Sequence, residues 1–195
     1  MVSALGYGTT ALSVGQRVFG LTDSYRGGTL AEYVAVEARN LAPLPGDVDF
    51  TVGASVAMPG LTAWQGLFEH GRLQAGQSVL VHGAAGAVGS MVTQLAREFG
   101  AYVIGGDIQK RSAGLIRAGG TLVTIVGPAE ARPTEGQAID FVVEADRAQL
   151  GEIVQRVRDG RLRTNIGNIA TLDDAVAAFN PTERISGKTI IRVRP

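Results

Sequence analysis

Ala84, Gly86 and Gly89 stand at the three positions of the spacing G-x-G-x-x-G, with alanine at the first, inside "VLVHGAAGAVGSMVTQLAREFG". They follow a short apolar run and open a periodic one, the setting in which this spacing binds a dinucleotide. In that reading the backbone amides of Ala84, Ala85, Gly86, Ala87, Val88 and Gly89 form a positively polarised cradle for a diphosphate. Gly86 would let backbone approach the pyrophosphate, and Gly89 would let the following helix pack tightly on the strand. The plain alternative is a tight strand-to-helix turn. A Walker A loop is excluded, because no Gly-Lys-Ser/Thr follows at the required distance.

Such a turn needs a strand before it and a helix after it. "SVLVHG" is a continuous apolar run of the kind buried on both faces of a parallel sheet. Val88, Met91, Val92, Leu95, Ala96 and Phe99 then recur on one helical face, and Gly100 supplies the stop. "AYVIG" predicts a second strand, 108–117 a helix, "TLVTIVG" a third strand and "IDFVVEA" a fourth, and this alternation marks an α/β layer. Right-handed crossovers favour the strand order 2-1-3-4, with the glycine turn at the switch point.

On either side of this layer the pattern differs. Up to about Pro45 the chain reads as β, with "QRVFGL" and "LAEYVAVE" as strands and "SVGQ", "SYRGGT" and "LPGD" as turns. From Pro59, Leu61, Trp64, Leu67 and Phe68 predict a helix stopped at Gly71. Beyond the layer, Leu150, Ile153, Val154 and Val157 stripe a helix closed at Gly160. Thr171, with Asp174 three residues on, caps a last helix bearing Leu172, Ala175, Val176 and Phe179. "KTIIRV" predicts a closing strand.

Composition narrows the function classes. The chain has 195 residues, 45% of them hydrophobic, which suffices for a real core. Lysine plus arginine and aspartate plus glutamate each total 18, so no broad basic field is available for nucleic acid or an anionic membrane surface. Cysteine is absent, which removes disulfides and thiolate metal sites and fits a reducing compartment. No window reaches the roughly 18 apolar residues of a membrane span, and the first residues lack a charged leader. A soluble cytoplasmic protein is the expectation.

Taken in order, "VGQRVFG", "GTLAEYVAVEARNLAPLP", "AMPGLTAWQGLF" and "VLVHGAAGAVGSMVTQLAREFGA" resemble the medium-chain dehydrogenase/reductase superfamily, and within it the zinc-independent, quinone oxidoreductase-like branch. "GGTLVTIVG" and "GKTIIRV" are similar to its late sheet strand and terminal strand. The resemblance implies an α/β fold: a partial GroES-like β-barrel domain plus a shortened Rossmann-type doubly wound parallel sheet. The corresponding boundaries are 1–55 for the β domain, 56–146 for the nucleotide-binding domain and 147–195 for a return to the β domain. It also implies a nicotinamide-dependent reductase that uses NADPH, with NADH possible, acts on a small-molecule quinone or activated carbonyl, and forms a homodimer. Relative to the family pattern, Gly105 runs directly into Gly106 and Asp107. About two βα units, on the order of forty to fifty residues, are missing there, and in the family that stretch holds the adenosine side.

By the same resemblance Thr62 lies near the nicotinamide and phosphates, while Val126, Gly127, Phe141 and Val142 line the nicotinamide pocket. As strand-end apolar residues the last group would otherwise be core, and Thr62 would otherwise be a helix-start hydroxyl bonding backbone. Asp107 lies where an acidic residue commonly binds the ribose, but it also matches a post-strand turn. Lys110 and Arg111 would meet a 2′-phosphate or stay solvated. His70 and His82 are read as structural, and Tyr25 and Tyr33 as turn and barrel residues. No side chain is assigned to catalysis and none to a metal. The competing reading is a non-catalytic nucleotide-binding or dimerisation module.

Overall fold

The computed structural model describes residues 1–23, 27–106, 113–129, 131–183 and 185–194. The chain divides into two compact units, Met1–Leu61 with Glu144–Pro195, and Thr62–Val143. The fold is mixed α/β with short parallel strand pairs.

In the first unit, β1 (Val18–Gly20) pairs antiparallel with β2 (Leu41–Pro43). This pair is the visible part of the expected barrel. The expected strand "LAEYVAVE" does not form: residues 30–37 are irregular and mostly exposed, and no ladder runs along them. Without a hydrogen-bonded neighbour, alternating apolar residues have no reason to stay extended. Tyr33 is therefore no strand residue. Its exposed ring lies under the Arg194 guanidinium, 4.3 Å from the centroid.

Helix α1 runs over Phe50–Trp64, nine residues ahead of the start expected at Pro59. Asp49 starts it: its carboxylate accepts from Thr51 N–H at 2.7 Å and from the Thr51 hydroxyl, the arrangement of an N-cap. These bonds hold the Asp49 carboxyl below its ordinary value. Pro59 lies inside the helix rather than at its head. At Gly60 the helix comes against Ile153, where a Cβ would be 3.0 Å from Ile153 Cγ2.

Helix α3 (Arg147–Arg158) follows the expected stripe, with Leu150, Ile153 and Val154 buried and Asp146 capping Gln149 N–H at 2.9 Å. It packs on β2. β7 (Ile166–Thr171) and β8 (Lys188–Arg192) form a parallel pair. Between them, Thr171 and Asp174 make the expected cap contacts, 2.8 Å between side chains, but α4 is only Ala175–Phe179. Its anticipated stripe holds at Ala175, which is buried with Ala178, and is overturned at Val176 and Phe179, which are exposed.

In the second unit, β3 (Ser78–His82) pairs parallel with β4 (Tyr102–Gly106), Ser78 opposite Tyr102 and His82 opposite Gly106. β5 (Thr121–Thr124) pairs parallel with β6 (Gln137–Asp140). These ladders are the 2-1 and 3-4 neighbours of the expected order. The 1-3 ladder is absent among the described residues, so two separate pairs replace one continuous sheet.

Different supports hold the two pairs. Helix α2 (Ala87–Glu98) packs on β3 and β4 with Met91, Leu95 and Ala96 buried. Only Val81 of β3 is buried, and Val79 and Leu80, on opposite faces, are half-buried, so the full cover expected on both faces is not reached. Tyr102 and Ile104 are exposed on β4. β5 instead meets a π-helical turn, Gln65–His70, that continues α1. The expected helix at 108–117 lies partly outside the described residues; Ala113–Leu115 form a 3-10 turn.

Candidate functional site

β3 delivers the chain to the glycine turn and α2 carries it away. Gly83, directly after β3, has φ +65°, a left-handed backbone that glycine adopts without steric cost. The Gly86 N–H donates to Gly83 O at 2.8 Å, closing the turn. Gly86 itself is extended, φ −74°, and serves as the N-cap of α2.

Gly83 lies outside the G-x-G-x-x-G positions read from the sequence. In the fingerprint phase the tight-turn position falls on Ala84, and the structure moves that duty one residue earlier. The adjacent "HG" at a strand end was the available signal.

Gly89 is buried, and a Cβ there would sit 2.1 Å from Gly83 O and 2.8 Å from Ala84 Cα. Close approach does demand glycine at this position. The partner is the turn's own backbone rather than the strand.

The first helical bond here is Ser90 N–H to Gly86 O, 2.9 Å. Ahead of it, the amides of Ala87, Val88 and Gly89 have no acceptor within the helix. Gly86 offers no side-chain cap, and the first turn of α2 carries no acidic residue. Ala85, Gly86 and Ala87 are exposed, with at most a methyl group each. Donors without an acceptor inside the helix, small neighbours and, among the described residues, no carboxylate in the first turn fit a phosphate group at the positive end of α2. One expected donor is lost, since Gly86 N–H is spent on Gly83.

The other expected residues are dispersed along the second unit. Thr62 sits third from the end of α1, not at a helix start; it is 6% exposed and engaged by its surroundings. Val126 and Val142 follow the carboxyl ends of β5 and β6 and are 77% and 72% exposed, so neither is core. Gly127 has φ +106°, and its carbonyl accepts from the Thr124 hydroxyl. Phe141 is half-buried, its ring 4.3 Å from that of His70. His82 ends β3. Tyr25, Asp107, Lys110 and Arg111 lie outside the described residues. Among the described residues no group of three or more His, Asp or Glu is placed to hold a metal ion, and no helix is long and apolar enough to cross a membrane.

No family model matches the chain. Human quinone oxidoreductase is 38% identical over 105 residues, 54% of this chain and 31% of that protein. The chain spans less than a third of the length of the curated relatives it matches. The solved quinone oxidoreductase from Coxiella burnetii superposes with a TM-score of 0.88 at 22% identity, covering 97% of this chain and 76% of that one. The quinone oxidoreductase from Thermus thermophilus, solved also in complex with NADPH, gives a TM-score of 0.70 at 25% identity over 85% of this chain and 74% of that one. With sequence likeness to quinone oxidoreductases and a fold shared over nearly its full length, the chain belongs to the medium-chain dehydrogenase/reductase superfamily.

Proposed function

We propose that the Thr62–Val143 unit binds a nicotinamide dinucleotide, NADPH in the first instance, and that the chain takes part in hydride transfer to a quinone or an activated carbonyl. The observation that carries this reading is the uncapped start of α2, open to solvent at Gly86 and Ala87, where the amides of Ala87, Val88 and Gly89 precede the first helical bond. The quinone oxidoreductase relatives support the reaction class, and the NADPH complex of the Thermus thermophilus protein supports the cofactor.

When bound, the nicotinamide supplies the hydride from its C4, and the acceptor takes up a proton as well. The residues of this chain bind and orient. The amides hold the diphosphate, while Val126 and Val142, apolar and exposed just past the ends of β5 and β6, give a surface that excludes water from a flat ring. Ligands of open α/β sheets bind outside the carboxyl ends of the strands, where these residues sit. Alignment of donor and acceptor in a dry site accounts for such a reaction without a side-chain nucleophile.

Purified protein is tested by titrating NADPH and NADH while following Trp64 emission and the melting temperature, then by measuring NADPH consumption with simple quinones. A ligand that prefers the folded state raises the melting temperature. Binding with turnover is expected. Binding without turnover overturns the enzyme reading in favour of a nucleotide-binding module, and no binding overturns both.

A further inference from the structure

A π-helical turn is rare, and such single turns within helices are frequent at functional sites. Here it follows α1 without a break, with the five-residue bond of Gly71 N–H to Gly66 O at 2.9 Å, and Leu73 N–H then donates to Leu67 O at 2.9 Å beyond its end. The two sides of this turn meet different aromatic groups. Phe68 packs edge-on between Trp64 and Phe99, at 5.0 Å and 5.1 Å between centroids. Gly66 and His70, four residues apart, both meet Phe141. A Cβ on Gly66 would be 3.6 Å from Cε1 and Cζ of that ring, and the His70 imidazole stands 4.3 Å from its centroid, tilted by 37°.

Phe141 is the residue immediately after β6, and its neighbour Val142 is largely exposed. A half-buried phenyl ring at a strand end, if held by backbone alone, is free to change rotamer and to flip. The imidazole of His70 lies across one side of this ring.

We propose that His70 is a positioning residue: its imidazole, presented by the π-helical turn, holds the Phe141 ring as a fixed wall past the end of β6 and so favours binding of a nicotinamide ring there. This inference rests on the dinucleotide reading given under Proposed function. The ligand class it names is the nicotinamide half of that dinucleotide, distinct from the diphosphate held at the start of α2.

The test uses the full chain with His70→Ala, His70→Phe and, should the alanine variant fail to fold, His70→Leu, which fills volume without an aromatic face. Two ligands are titrated: NADPH, and 2′-phospho-ADP-ribose, which lacks the nicotinamide. Aromatic-carbon NMR of Phe141 provides a readout independent of either ligand. In His70→Ala the Phe141 ring signals are expected to average, and the Kd for NADPH to rise about fivefold, the equivalent of about 1 kcal/mol. The Kd for 2′-phospho-ADP-ribose is expected to stay within twofold or so, and His70→Phe to restore both readouts. Equal weakening of both ligands, unchanged ring signals, or a lower melting temperature without a selective change in Kd overturns the proposal. Wild-type protein that binds neither ligand overturns the dinucleotide reading itself and the inference with it. Wild-type binding that His70→Ala leaves unchanged overturns the inference alone.

Discussion

The two parallel strand pairs of the Thr62–Val143 unit are built alike and supported differently. β3 and β4 are held by α2, the helix that connects them in sequence. β5 and β6 have no connecting helix described, and β5 rests on a π-helical turn fifty residues and more upstream. The first pair ends in a turn whose chemistry is backbone chemistry, fixed by where glycine is required. The second ends in a rim whose chemistry is that of apolar side chains, fixed by what packs behind it. A backbone site is therefore broken by adding a methyl group, and a side-chain site by removing one.

The largest effect is expected from Leu95→Ala, which deletes the 2%-exposed side chain at the centre of the α2 contact. A buried leucine lost without collapse of the site costs about 3 kcal/mol, read as a fall in the urea midpoint at unchanged slope. Gly89→Ala comes next. Its Cβ would meet the Gly83 carbonyl backbone, which has no flexible end to move aside, and overpacking of this kind costs about 2 kcal/mol. NADPH binding should weaken with it, because the start of α2 must shift. A Gly89→Ala protein with wild-type stability and affinity would break the contrast at its strongest point.

Gly83→Ala is a milder probe of the same turn. Space is open around it, so only the left-handed backbone opposes the substitution, at about 1 kcal/mol. Thermal melting separates this cost from that of Gly89→Ala.

Those two glycines also divide what was legible in the sequence from what was not. The spacing of Gly86 and Gly89 after an apolar run marked the turn, and the six apolar positions from Val88 to Phe99 marked α2, because both signals are local. Gly83 escaped, since a motif assigns roles by phase and the chain moved the strained position by one residue. α1 was placed late for a related reason: Pro59 reads as a helix start, whereas the cap at Asp49 depends on a carboxylate reaching Thr51. Strand "LAEYVAVE" and the 1-3 ladder failed for want of partners, and strand pairing is a long-range property that alternation does not encode. The contact of Phe141 with His70 joins residues seventy-one positions apart, beyond any periodic pattern.

On the β5–β6 side the smallest change in stability is expected. Val126→Ser and Val142→Ser alter exposed residues, so the melting temperature should move by no more than about 0.5 kcal/mol would produce. Loss of apolar contact with a bound ring, worth about 1 kcal/mol, should nonetheless raise the Kd for NADPH about fivefold. Serine variants that bind NADPH as the wild type does would show that the rim is only surface, and would leave the glycine turn as the whole of the site.

The most direct measurement is an amide proton–nitrogen NMR titration of the wild-type chain with NADPH. The largest shifts are expected at Ala87, Val88 and Gly89, with Gly86 moving less because its N–H is already bonded to Gly83. Saturating NADPH that leaves these three amides in place, or that shifts amides elsewhere in the chain instead, would contradict this.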